Sequence, residues 1–213
     1  MARSQVITDN FNRASLGANW SQLNATFGDI VISASTVVQG PNSFDTDGAQ
    51  VARWVGAGSV ANDQYAAISY VTMGGIGAAD YGMGVICRAS TDTTTNRDFY
   101  YFVVIDNGTG ELGKIVNGTR TVLNSGAVSW ANGNIVALEC EGTTIRACKD
   151  TTPLGGAWTV TDSALASGGV GVIGMGGING DNFDAGDITA AGGTSPKHDK
   201  LMSSGLITSP LTR

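Results

Sequence analysis

This 213-residue sequence predicts an all-β fold, an antiparallel two-sheet β-sandwich, and three observations carry that reading. Helical periodicity is almost absent, whereas strand-like segments recur between clusters of Gly, Asn, Asp and Thr. Asn117-Gly118, between two such segments, is a two-residue hairpin signal, because both residues accept the positive φ that a tight turn needs. The run 99–105, Phe-Tyr-Tyr-Phe-Val-Val-Ile, is apolar at both parities, as suits a central strand covered on both faces. No repeat of fixed period is present, which speaks against a propeller or β-helix.

In chain order the predicted strands are 6–11, 30–38, 50–55, 64–73, 82–89, 99–105, 111–116, 119–125, 135–140, 143–149, 169–175 and 182–188. Each is a short run of aliphatic, aromatic or Thr residues ended by turn formers. In 135–140, Val136, Leu138 and Cys140 share an apolar face, while Glu139 and Glu141 take the other. In 143–149 the apolar face is Ile145 and Ala147, so Cys148 points outward with Arg146. Cys140 and Cys148 therefore face opposite sides of the sheet, and they and Cys87 are expected to be free thiols.

Composition excludes several function classes. Twelve Lys and Arg against eighteen Asp and Glu leave a net charge of −6, so no broad basic surface is available for nucleic acid. No apolar leader follows Met1, and no run approaches the roughly 18 residues of a membrane-spanning helix. Three cysteines without a CxxC pair, and a single histidine, His198, make a Cys/His zinc site untenable. The four Asn-X-Ser/Thr sequons, at Asn19, Asn24, Asn107 and Asn117, read as turn chemistry.

Residues 190–213 change character. They hold three of the twelve basic residues, Lys197, Lys200 and Arg213, and one of the eighteen acidic ones, Asp199, giving +2 for the segment and −8 for the rest. The segment opens on a Gly-Gly hinge and carries Leu206, Ile207 and Leu211. The expected organisation is a sandwich over 1–189 and a flexible C-terminal arm over 190–213. Lys197, Lys200, Leu206, Ile207, Leu211 and Arg213 are its candidate partner-binding residues.

Asp9-Asn10-Phe11-Asn12-Arg13-Ala14-Ser15-Leu16-Gly17-Ala18-Asn19-Trp20 resembles the opening of concanavalin A-like lectin/glucanase (laminin G-like) jelly rolls found in tailed-phage virion proteins. The hairpin 138–147, the glycine-led segment from Gly168 and the closing Asp181-Asn182-Phe183-Asp184 fit the same pattern. The resemblance spans roughly 6–188 and implies first and last strands lying side by side. It also implies a non-enzymatic virion structural protein, made in the host cytoplasm and decorating a capsid or sitting in a tail, with other virion proteins and its own copies as partners. The alternative it implies is a carbohydrate-binding, lectin-like module.

Because such folds also include glycosidases, the acid/base inventory matters. Glutamate is confined to Glu111, Glu139 and Glu141, and the E-x-D-x-x-E pattern of the family's glucanases is absent. Glu139 and Glu141 share a face but are expected to be solvated, with no aromatic neighbour. Segments 45–48 and 179–187 gather Asp and Asn in the manner of calcium loops, yet neither holds the full ligand pattern, so turn formation is expected, with no metal and no cofactor. For a glycan, Trp20, Trp54, Trp130, Trp158, Tyr81 and Tyr100 are the candidate stacking rings, with core packing as the competing role.

Overall fold

A computed structural model describes residues 2–23, 29–33, 36–38, 50–72, 82–91, 96–105, 108–176 and 178–189. Among these residues the strands are β1 (Ala2–Asp9), β2 (Trp20–Gln22), β3 (Val31–Ser33), β4 (Thr36–Val38), β5 (Gln50–Trp54), β6 (Gln64–Thr72), β7 (Gly82–Ala89) and β8 (Phe99–Ile105). They continue with β9 (Thr109–Val116), β10 (Thr119–Ala127), β11 (Ile135–Glu141), β12 (Thr144–Lys149), β13 (Thr152–Pro153), β14 (Thr159–Thr161), β15 (Gly169–Met175) and β16 (Asn179–Thr189). The first sheet runs β13-β12-β11-β6-β16-β4-β3, with β1 added to β16 and β14 to β12. The second runs β10-β9-β8-β7-β15-β5-β2.

Alternation along the strands builds the core between the sheets. Ile68, Leu138, Ile145 and Phe183 from the first sheet meet Val85, Tyr100, Phe102 and Val172 from the second. On β8 the other parity, Phe99, Tyr101 and Val103, joins Leu23, Val51, Ile86 and Ile173 in a separate buried cluster, so the doubly apolar run is covered on both faces as expected. Asn117 (φ 49°) and Gly118 (φ 74°) close β9 onto β10, pairing Val116 with Thr119. Gly171 is required by proximity, since a Cβ there would overlap the Ala52 carbonyl of β5.

The two ends of the sandwich lie together. β1 runs antiparallel to β16, with Asp9 opposite Phe183. Phe11 and Phe183 are buried, with Trp20 packed against both at ring-centroid distances of 5.6 and 5.0 Å. The opening motif has a physical reason in this corner. The Asp9 carboxylate accepts the Phe11 N–H at 2.8 Å, the Trp20 indole N–H at 2.8 Å and both Arg13 Nη groups at 2.5 and 2.7 Å. Those bonds end β1 at Asp9 and turn the chain through Phe11 at φ 50°, so the strand expected over 6–11 stops two residues short of Phe11.

Other boundaries differ for local reasons. The expected strand 30–38 is two short strands, β3 and β4, paired antiparallel with Ser33 opposite Thr36. The strands β2, β13 and β14 are two or three residues each, too short to show a period. The strand expected over 182–188 is present and starts earlier, at Asn179, so the turn expected over 179–187 is not formed; its Asp and Asn residues alternate with the inward Phe183 and Ala185 across a bulge between Asp181 and Asp184. Cys140 and Cys148 do lie on opposite faces, and all three thiols are free and buried. Cys148 is nevertheless covered rather than solvent-facing, and burial, its largest influence, pushes its thiol up to about 12.

Candidate functional site

The outer face of the first sheet is built around one buried ionic cluster. Arg3, reaching from β1, lays its guanidinium over the Tyr65 ring, 5.0 Å from the centroid, and donates Nε–H to Glu139 at 2.9 Å. Glu139 lies opposite both Tyr65 on β6 and Arg146 on β12, and the Arg146 guanidinium reaches it at 3.5 Å. Arg146 also holds Glu141 at 2.6 Å. The expectation of solvated glutamates without an aromatic neighbour is therefore wrong for Glu139, which is only 4% exposed. Its two arginines and the tyrosine come from three different strands, which is why the local sequence did not betray it.

Beside this cluster opens a cleft of about 840 Å³. Its floor is the outward parity of β6 and β16, where Tyr65, Ala67, Ser69 and Asp184 lie. Gln5 and Thr8 of β1 form one wall, and Asn10, Asn19, Asn182 and the half-buried Trp54 close one end. Asp184 accepts the Tyr65 O–H at 2.7 Å, and burial followed by that hydrogen bond raises the phenol above its ordinary range. The Trp54 indole is propped edge-on by Trp20 at 5.3 Å and donates its N–H to the Ala57 carbonyl at 3.1 Å. Among the described residues, Gln5, Thr8, Asn19 and Ser69 make no side-chain hydrogen bond, and each carries donors and acceptors that a ligand can use.

The charged lining is balanced, two arginines against two aspartates. Asp9 is saturated by its four donors. Burial raises its carboxyl, but the hydrogen bonds from Arg13, Trp20 and the Phe11 N–H outweigh this and hold it below the usual carboxylate range. Asp184 is thus without an available carboxyl partner among the described lining residues. The cleft can bind through amide and hydroxyl hydrogen bonds and one indole, and its described lining residues do not supply the two cooperating carboxyls of glycoside hydrolysis.

Of the residues singled out from sequence, Trp54 is the ring brought to this cleft. Trp20 and Trp130 are core, Trp158 packs against the core, and Tyr100 is buried with its O–H on Asp162 at 2.5 Å. Glu111 is held by Arg120 and Tyr101. Tyr81, segment 45–48, His198 and the arm residues Lys197, Lys200, Leu206, Ile207, Leu211 and Arg213 lie outside the described residues. Among the described residues no group of three His, Cys, Asp or Glu could hold a metal ion. Sequence reasoning missed Gln5, Thr8, Ser69 and Asp184 as site residues, since only the β1-β16-β6 pairing assembles them.

No protein-family model matches the sequence, and no curated protein matches it. Solved structures do. A carbohydrate-binding module, CBM66 from Bacillus subtilis, is 15% identical with a TM-score of 0.56, over 77% of this chain and 91% of its own. A Bacillus subtilis protein of unknown function with a galectin-like fold is 10% identical with a TM-score of 0.61, over 87% and 97%. A Bacillus licheniformis β-glucanase is 9% identical with a TM-score of 0.58, over 87% and 99%. The fold is a concanavalin A-like jelly roll. At these identities the likeness speaks for architecture alone. The descriptions of these three name no virion component, so the expected capsid or tail setting has no counterpart among them.

Proposed function

We propose that the protein is a carbohydrate-binding module whose ligand lies in the cleft over β1, β16 and β6. The observation that carries this reading is the pairing of the Trp54 indole with the uncommitted side chains of Gln5, Thr8, Asn19 and Ser69. A sugar presents an apolar face to an aromatic ring and hydroxyls to amides and hydroxyls, and a cleft of about 840 Å³ accommodates a short oligosaccharide. That one solved relative of this fold is a carbohydrate-binding module agrees with it. A hydrolytic role is less well supported, because the carboxylates Asp9, Glu111, Glu139 and Asp162 are each paired with a cation and a general acid must be held protonated and unpaired.

The test is affinity electrophoresis through gels containing a panel of soluble polysaccharides. At least one should retard the wild-type protein, while Trp54→Ala and the cleft-filling Thr8→Arg migrate freely with unchanged thermal unfolding. No retardation by any polysaccharide would overturn the reading. Display on a virion is a separate proposal resting on the resemblance of the opening motif; it predicts co-purification of the protein with assembled particles.

A further inference from the structure

A second depression, of about 330 Å³, shares Trp54 with the main cleft and is lined by Arg53, Gly56, Ser59, Gly168 and Gly169. Arg53 stands apart from five other arginines of the sandwich. Arg3, Arg13, Arg88, Arg120 and Arg146 each lie within 4 Å of a carboxylate, whereas Arg53 on β5 has no such partner among the described residues. Its Nε–H is fixed on the Ala89 carbonyl at 3.2 Å, which leaves the two Nη groups without an acceptor among the described residues and fixes the plane of the fork. The neighbouring strand makes room for it. A Cβ on Gly169 would sit 2.6 Å from Arg53 Nε and 2.9 Å from Nη2, so any side chain at 169 displaces the guanidinium.

An arginine that is partly buried, aimed by its own backbone hydrogen bond and left without a counter-charge is the arrangement that recognises an anion. Burial lowers its pKa, so its charge is held there at a cost that a bound anion relieves. Because Trp54 borders both depressions, one chain of sugars can occupy the cleft and reach Arg53 with a neighbouring residue. We propose that the Arg53 depression is an anion subsite that takes the planar carboxylate of an acidic sugar in a glycan held by the main cleft. The inference rests on the glycan-binding reading and narrows it to uronic-acid-containing chains.

The experiment compares polygalacturonate, alginate and hyaluronan, each beside its carboxyl-reduced neutral form, by affinity electrophoresis at about 0.15 M salt, where general repulsion from the acidic body is screened. Wild-type protein should bind at least one acidic polymer about tenfold or more tightly than its reduced form, the size expected of a charge-assisted forked pair. Arg53→Gln should remove that preference and leave binding of the reduced form unchanged. Arg53→Lys should keep part of it, and Gly169→Ala should weaken it by displacing the guanidinium. Thermal unfolding verifies that each variant is folded; if Arg53→Gln is not, Arg53→Lys and Gly169→Ala carry the test. Equal binding of acidic and reduced polymers, or a preference that survives at full size in Arg53→Gln, or in both Arg53→Lys and Gly169→Ala, overturns the subsite and leaves the glycan reading standing. Binding of none of these polymers overturns the subsite, and the glycan reading falls with it only if the wider polysaccharide panel also fails to retard the protein. Preference for dextran sulfate over every carboxylated polymer overturns the carboxylate assignment.

Discussion

Phe183→Ala tests whether the ends of the sandwich hold each other. Phe183 is 1% exposed, faces the core from β16, and packs edge-on against Trp20 at 5.0 Å, with Phe11 packed on the same indole at 5.6 Å. Truncating a buried phenylalanine costs about 3–5 kcal/mol, and the ring pair with Trp20 places this site toward the upper end, since such contacts add about 0.5–1.5 kcal/mol beyond area. Against a typical domain stability of about 5–15 kcal/mol this is a large fraction. At roughly 2–4 °C per kcal/mol for a domain of this size, the midpoint should fall by about 6–20 °C. Urea unfolding followed by tryptophan fluorescence measures it, because Trp20 reports on the corner being altered. A loss below about 1 kcal/mol, the range of surface substitutions, would refute the corner as a structural lock.

Three further outcomes are expected. Thiol titration without reductant should count three in unfolded protein and almost none in native protein, as Cys87, Cys140 and Cys148 are free and buried; a count of one after unfolding would show a disulfide. Asp9 and Asp162 are held below the usual carboxylate range, burial being outweighed in Asp162 by Lys114, Tyr100 and the Ala164 N–H. The unfolded chain therefore takes up protons first, so the stabilisation is complete above about pH 5 and is lost as pH falls through the folded-state values. The thermal midpoint should drop in acid with a shallower limb in Asp9→Asn, and parallel limbs would contradict this. Removing 190–213 should leave the thermal midpoint within about 2 °C of the full chain, because β16 already ends at Thr189; a larger drop, measured by calorimetry, would place the segment in the folded body.

What the sequence disclosed and what it hid separate by range. The β9–β10 turn and the two-sided burial of β8 are written in consecutive residues, and both stand in the fold. The opening Asp-x-Phe-x-Arg run was legible as a resemblance, but its cause, a carboxylate binding residues 2, 4 and 11 positions later, appears only in three dimensions. The burial of Glu139 was hidden because it depends on Arg3, 136 residues away, crossing β16 and β6 to reach it. The cleft is assembled by the same long-range pairing. Thr8, Ser69 and Asp184 are ordinary polar residues on ordinary strands until pairing sets them side by side. Tryptophan was a better guide to the site than carboxylate, though it took the structure to separate Trp54 from Trp20 and Trp130.

The central claim is that a glycan lies over β1, β16 and β6. Backbone amide shift mapping during titration with an oligosaccharide from a polymer that retards the protein addresses it most directly. The account predicts saturable shifts concentrated at Gln5, Thr8, Asn10, Asn19, Trp54, Ser69 and Asn182, the cleft rim. Shifts centred instead on the exposed strand β10, with the cleft amides unmoved, would contradict it.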